Sequence, residues 1–380
     1  MNNKVVTKEF VTKPKTWMLY GAYGVQGQLI LHEALAQGER PLLAGRSIAK
    51  LRPLAERYGL PWRMLDLQDD SVLAEGLADV SLVLNAAGPY YQTAQPLLKA
   101  CLISRSHYVD LNAEIPTMQQ LWRYQAQAQA SGITAVLGCG LEVAPVDCLL
   151  MYLMQAHPTI ASLEVAIDVN PQLGVGLWLD GITLGGRLRR NHKLIDEPFG
   201  RNLKSFAFSR GVKSVISYPS AALEICYRWS HIPNMKTYMT QTGALTWLLK
   251  WVASAPKVLL QQDSIRHFLQ KYFLSHKLSK NHFADRFKDP IRSGEISGRT
   301  LIWMVGKDYD GQVFEAGLET LAEPKLTAVI AMRTAQLLLA ESFLRGVYSP
   351  AEVFGAEFIM QVPTTIRFSS LTTTPVAIGF

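Results

Sequence analysis

Trp17-Met18-Leu19-Tyr20-Gly21-Ala22-Tyr23-Gly24-Val25-Gln26-Gly27 decides the fold of this 380-residue chain. Four large apolar and aromatic residues in a row read as a short buried strand, and they run straight into glycine. Beyond the glycines, Val25, Leu29, Leu31 and Leu35 recur at helical spacing. Strand, glycine turn and helix in that order make an anion cradle, and G-x-x-G-x-x-G is a variant of the dinucleotide fingerprint G-x-G-x-x-G. Gly21 suits the tight turn out of the strand, Gly24 the approach of a pyrophosphate to the backbone, and Gly27 close packing of helix on sheet. N–H groups and the helix dipole then favour the negative charge. Gly21, Tyr23, Gly24, Val25 and Gly27 are the first candidate cofactor contacts.

Outward from this turn, short apolar runs alternate with helical stretches. Strands are expected at 41–44, 62–67, 80–84, 108–111 and 133–137, with helices at 48–58 and 94–102 and one long helix over 116–130. Buried strands alternating with helices demand parallel pairing with helices on both faces. The six strands predict an α/β fold, a doubly wound parallel sheet. After about residue 160 the pattern changes. Leu163-Glu164-Val165-Ala166-Ile167-Asp168 alternates at period two, and 300–305 with 313–318 reads as a hairpin around an Asp- and Gly-rich turn. An apolar helix with proline at its start is expected over 324–344. The predicted organisation is a dinucleotide-binding domain over 1–150, a largely antiparallel α+β domain over 151–323, and a C-terminal segment, 324–380, returning to the first domain.

Composition narrows the class. With 48% hydrophobic and 18% charged residues the chain is neither disordered nor a coiled coil. Four cysteines without a C-x-x-C pair argue against a zinc ribbon or a disulfide framework. The first residues lack an apolar leader core, so a cytoplasmic location is expected. The net charge of +7 is concentrated between Arg187 and Lys213, where Asp196 and Glu197 are the acids in the segment. Such a segment suits an acidic or phosphate-bearing partner or a plain solvated surface. The stretch 244–253, with two tryptophans and a lysine, suits an amphipathic helix, packed on its own protein or in peripheral membrane contact. No nucleic-acid-binding pattern is present, and none of the fourteen tyrosines has a lysine four residues on. Metal-protease, serine-hydrolase and P-loop signatures are missing as well, so no metal is expected.

The end of the second strand selects the dinucleotide. An NAD site places a carboxylate there for the ribose 2′-hydroxyl. Here the residues are Ala44-Gly45-Arg46-Ser47. Arg46 can grip a 2′-phosphate and stack on adenine, Ser47 can add a hydroxyl, and NADP(H) is the expected cofactor. Asp66 is a candidate acceptor for the adenine amine or, alternatively, a helix N-cap. Asn85, Ala86, Ala87 and Gly88 follow the fourth strand, where strand order reverses and ligands lie.

Taken together, Gly21–Gly27, Ala44–Arg46, Asn85–Tyr90 and the segment Ala100–Glu114 with its His107-Tyr108-Val109-Asp110-Leu111 core resemble the saccharopine dehydrogenase-like oxidoreductases. The likeness is nearest to the branch of trans-acting enoyl reductases. Gly140–Asp147 is similar to the family's G-F-D-S-x-P-x-D turn, with Glu142 in place of Asp. The resemblance implies an NADP-binding Rossmann domain, an inserted α+β domain for substrate and dimerisation, and hydride transfer to C=C or C=N. The homodimer is expected on that ground.

Hydride chemistry belongs to the cofactor, so few protein groups need react. Tyr90 is the candidate proton donor or orienting group, its alternative a tyrosine packed on the cofactor. Tyr91 and Glu142 are candidate substrate contacts. His107 and Asp110 bracket a buried strand and read chiefly as structural. Two classes of function fit these residues: a reductase acting on a small or carrier-linked substrate, or a non-catalytic NADP(H)-binding regulator on the same fold.

Overall fold

The computed structural model describes residues 16–168, 186–197, 203–240 and 298–370. The amphipathic stretch 244–253 lies outside them. No helix among the described residues is long and apolar enough to cross a membrane.

The first sheet is built from β1 (Trp17–Tyr20), β2 (Leu42–Gly45), β3 (Trp62–Met64), β4 (Leu82–Asn85), β5 (His107–Asp110) and β6 (Thr134–Val136). A seventh strand, β15 (Gly346–Tyr348), joins from near the other end of the chain. The order is β15-β6-β5-β4-β1-β2-β3, and every pairing is parallel. The expected six strands therefore lie in the doubly wound order, with β15 added beside β6. The connecting helices are α1 (Val25–Ala36), α2 (Ile48–Tyr58), α3 (Asp70–Glu75), α4 (Tyr90–Ser104), α5 (Ile115–Trp122) and α6 (Gln125–Ser131). β1, β2 and β4 are buried along their whole length, as a sheet covered on both faces requires.

The single helix expected over 116–130 is two helices. At the break the Arg123 and Tyr124 N–H groups bond three residues back, to Gln120 and Leu121, which tightens and ends α5. Tyr124 is thereby released to accept a hydrogen bond from Gln95 Nε2 on α4, 2.7 Å away.

Helix α7 (Ala144–Ala156) leads from the first sheet into the second. That second sheet contains β7 (Ile160–Asp168), β8 (Gly186–Arg190), β9 (Lys193–Glu197), β10 (Leu203–Phe208), β11 (Gly211–Ser217), β12 (Asn234–Thr240), β13 (Arg299–Asp308), β14 (Val313–Leu321) and β16 (Ile366–Ser370). The path is β10-β11-β12-β7-β13-β14-β16, with the β8–β9 hairpin attached to β12. Only β12 and β7 pair in parallel along this path. The expected hairpin is present as β13 and β14.

Alternation gives the second sheet two different faces. Leu163, Val165 and Ile167 point into the main core with α7, α8 (Ala222–Ser230) and α9 (Lys325–Ala340). Ala166, Phe206, Val215, Tyr238 and Leu301 cluster on the opposite face. The stretch after residue 324 is shared between the sheets. α9 lies along α1 and β15 joins the first sheet. A short helix α10 (Pro350–Phe354), closed by a Ser349–Glu352 capping box, and a 3₁₀ turn (Ala356–Gln361) follow, and β16 then pairs with β14.

The basic segment is not the unbalanced charge that its sequence suggests. Lys204 meets Glu164, Lys213 meets Asp168, Arg210 meets Glu319 and Arg189 meets Glu224. Arg187 adds a looser pair with Asp196 at 3.5 Å. Most of these carboxylates come from β7, β14 and α8, far away in sequence, so counting acids within the segment missed them.

Candidate functional site

Because the first sheet is parallel, the loops leaving β1, β2, β4, β5 and β6 open at one edge, where a doubly wound sheet holds its ligand. The glycine turn sits at the centre of that edge. Gly21 has φ +86°, and a Cβ there would stand 2.8 Å from the Ala87 Cβ. The turn after β1 thus packs directly on the Ala86–Gly88 loop after β4. A Cβ on Gly27 would lie 2.2 Å from the Gly21 carbonyl oxygen, so only glycine lets α1 start this close to the strand. Gly24 is the N-cap of α1, and no side chain caps the helix. Its first-turn N–H groups consequently face the crevice. Val25 packs half-buried against the core.

Tyr23 leans across to the neighbouring strand. Its ring fills the place of a side chain on Gly45, where a Cβ would meet the ring at 2.6 Å. Lys50 Nζ lies 5.8 Å from the ring centroid. Arg46 follows Gly45 and is exposed, and Ser47 is the N-cap of α2 without a capping bond from its hydroxyl. Tyr23, Arg46, Ser47 and Lys50 thus frame one end of the crevice with an aromatic floor and two cations.

Asp66 is not the N-cap of the next helix. It lies two residues beyond β3, exposed, and accepts a hydrogen bond from the Gln68 N–H at 3.2 Å. The N-terminal role at α3 falls to Asp69, which accepts from the Val72 N–H.

Asn85 is fully buried and orders the loop that it begins. Its Oδ1 accepts from the Ala87 N–H at 3.0 Å, while its Nδ2 donates to Thr93 Oγ1 and to the Tyr108 hydroxyl. Tyr108 in turn donates to Asp110, whose other oxygen accepts from the N–H groups of Asn112 and Gly138. This network ties together the ends of β4, β5 and β6. Burial pushes the Asp110 carboxyl up to about 6, against the opposing effect of its donors. His107 stands at the other end of β5, away from the crevice, where its Nδ1 accepts from the Thr134 N–H.

Glu114 is the residue that reading the sequence passed over. Its two oxygens accept from the Tyr90 and Tyr91 N–H groups, each at 2.8 Å, and from Thr117 Oγ1. It satisfies the first turn of α4 with the chain's own carboxylate. The visible signal was a lone acid just ahead of Pro116, but its partners lie 23 and 24 residues earlier. With α4 filled in this way, α1 keeps unclaimed N–H groups above the glycine turn for a pyrophosphate.

Tyr90 packs against both main clusters of the core. Burial first, then the charges of Asp110 and Glu114, raise its phenol well above the usual tyrosine range. It remains protonated at physiological pH, and is suited to donating a hydrogen bond rather than to losing a proton. Tyr91 is exposed, and its hydroxyl accepts from Gln92 Nε2. Glu142 is turned towards the second sheet. Its carboxylate accepts from the Tyr218 hydroxyl at 3.2 Å, and its carbonyl accepts from Ser220 Oγ.

Two buried polar atoms at this edge have no partner, Gln26 Oε1 and Asn112 Nδ2. Orphaned groups of this kind, beside a cradle that glycine alone can line, fit an anionic nucleotide carrying further polar groups.

The chain is similar to known proteins. Residues 17–136 match the family model described as the saccharopine dehydrogenase NADP binding domain. A trans-acting enoyl reductase of Mycobacterium ulcerans is 32% identical over 158 residues, 39% of this chain and 38% of that protein. A saccharopine dehydrogenase-like oxidoreductase of Bos taurus is 26% identical over 179 residues, 42% of each chain. The matched segment spans less than half the length of these curated relatives. The structure of an apo saccharopine dehydrogenase (L-Glu forming) from Saccharomyces cerevisiae aligns with a TM-score of 0.63. That alignment covers 94% of this chain and 100% of the yeast chain at 15% identity, a likeness of fold.

Proposed function

We propose that this chain, whose residues 17–136 are an NADP-binding domain of the saccharopine dehydrogenase type, is a reductase acting on a C=C bond conjugated to a carbonyl, in a small or carrier-linked substrate. NADP(H) is the cofactor of that domain, and when bound it supplies the hydride. The observation that carries the reading is the contrast between two helix starts. α4 is closed by Glu114, whereas α1 is open above glycines, with Arg46 standing where an NAD site would place an acid.

The chain's own residues bind and orient. The α1 turn receives the pyrophosphate. Arg46, with Ser47 and Lys50, holds the 2′-phosphate, and Tyr23 supports the adenine. The Asn85–Tyr108–Asp110 network keeps the Ala86–Gly88 loop in place beneath the nicotinamide. Tyr90, kept neutral by burial, is the donor towards a substrate oxygen on which charge develops. Support for an enoyl substrate comes from the relatives named trans-acting enoyl reductase. A C=N substrate is the alternative within the same reaction class. The engagement of Glu142 by Tyr218 favours the second reading, an NADP(H)-binding regulator, because it occupies a carboxylate expected to meet substrate.

NADPH oxidation followed at 340 nm against enals, enoyl thioesters and imine mixtures separates these readings. Turnover of an enoyl thioester, lost by more than tenfold in Tyr90→Phe, is the expected result. Tight NADPH binding without oxidation in any mixture assigns the chain to the regulator class.

A further inference from the structure

Glu323 joins β14 of the second sheet to α9 of the first, and it reaches the glycine turn. One carboxylate oxygen accepts from Gln26 Nε2 at 2.9 Å and the other from Thr327 Oγ1 at 2.8 Å. Thr327 Oγ1 also accepts from the Leu141 N–H at 3.1 Å, in the loop after β6. α1 and α9 run side by side in the same direction, since Gln37 and Gln336 meet at their far ends. The first turns of both helices and the 138–142 loop therefore converge on the Gln26 carboxamide.

This arrangement fixes which way that amide points. Burial pushes the Glu323 carboxyl up to about 7, while the Thr327 and Gln26 donors favour its charged form. Above that pH it is purely an acceptor, so Gln26 must turn its N–H₂ towards it. The carboxamide oxygen is left buried and without any hydrogen-bond partner. An unmet buried acceptor is costly unless a donor arrives. Gln26 sits between Val25 and Gly27, within the turn that faces the dinucleotide. The pyrophosphate and the 2′-phosphate offer acceptors only. Donors are found on both nucleosides, but the adenosine half is placed at β2 with Arg46, whereas Gln26 leans towards the loop after β6 on the other side of β1. That leaves the ribose hydroxyls and the carboxamide N–H of the nicotinamide nucleoside.

We infer that Gln26 is a cofactor-contacting residue whose carboxamide oxygen accepts a hydrogen bond from the nicotinamide nucleoside half of NADP(H), with Glu323 and Thr327 as its positioning residues. The inference rests on the dinucleotide reading of the α1 turn.

The test is a set of dissociation constants at pH 8, by calorimetry, for NADPH, 2′-phospho-ADP-ribose and adenosine 2′,5′-bisphosphate. Gln26→Met should weaken NADPH about tenfold, the worth of one hydrogen bond of about 1.4 kcal/mol. Adenosine 2′,5′-bisphosphate lacks the nicotinamide nucleoside and should change by less than twofold, which also reports an intact fold. Equal weakening of 2′-phospho-ADP-ribose identifies a ribose hydroxyl as the donor, and no weakening of it identifies the carboxamide. Gln26→Ala, which needs no extra room, should repeat the pattern. Unchanged NADPH affinity, or equal losses for NADPH and the bisphosphate, overturns the inference. Wild-type protein that binds neither nucleotide removes the dinucleotide reading and the inference with it.

Discussion

In the seven-stranded sheet Asp110 is buried among neutral donors, two backbone N–H groups and the Tyr108 hydroxyl. In the nine-stranded sheet Glu164, Asp168 and Glu319 each meet a lysine or arginine. The first arrangement fastens loops at the ligand edge without placing a cation there, which leaves the local field to the helix starts and to Arg46. The second engages its cations on the sheet itself. A segment that looks basic in sequence can thus be close to neutral in the fold, while in the proposed function recognition falls to a single exposed arginine beside an open helix start.

The sharpest way to break this comparison is pH. Asp110 has a folded pKa of about 6 against an ordinary 3.8. Between those values the native state binds the extra proton, so this group favours folding fully below about 3.8, and its contribution is lost as pH rises through 6. A shift of this size corresponds to about 3 kcal/mol. Asp110→Asn keeps an oxygen for the Asn112 and Gly138 N–H groups and can donate to Tyr108. Unfolding free energies from urea titrations between pH 4 and pH 7.5 should show wild type losing about 2.5 kcal/mol relative to this variant across that interval. A difference between the two that does not vary with pH would mean that the surroundings of Asp110 do not raise its carboxyl.

The same contrast explains what was legible in the sequence. Gly21, Gly27 and the strand before them act within one turn, so spacing alone located the cradle, and Arg46 followed from counting to the end of the next strand. The doubly wound order was legible because each strand leads into its own helix. β15 was not, since Gly346–Tyr348 is three residues long and is held by pairing with β6 some 210 residues earlier. The partner that Tyr124 meets at the helix break, Gln95, lies on another helix, and the capping role of Glu114 depends on α4. The ion pairs of β10 and β11 depend on strand neighbours that no local count of charge can supply.

A smaller effect tests the paired side. Glu164 is buried and accepts from both Lys204 and the Tyr238 hydroxyl. Glu164→Gln preserves the acceptor for Tyr238 but faces the ammonium with an N–H₂ group. Because Lys204 is a quarter exposed and can turn to water, the loss should be about 2 kcal/mol rather than the larger cost of a fully buried orphan charge. Denaturant unfolding at pH 7 measures it. NADPH affinity should not change, because this pair lies in the other sheet. A fall in affinity matching the fall in stability would mean that the two sheets do not act as separate units.

The smallest effect belongs to the hairpin tip. Arg190 and Lys193 are exposed at the β8–β9 turn, opposite each other in register. Reversing both to glutamate removes the mutual repulsion of two cations and introduces that of two anions, so the change in stability should stay within about 0.5 kcal/mol. The reversal also removes positive charge where the paired residues of the segment contribute none to a ligand. If this face is only a solvated surface, NADPH affinity and the Michaelis constant for an enoyl thioester should match those of wild type at low and at physiological salt. A several-fold rise in that Michaelis constant, larger at low ionic strength, would assign the hairpin to the capture of an anionic carrier, and would show that the unpaired remainder of the basic segment acts on substrate after all.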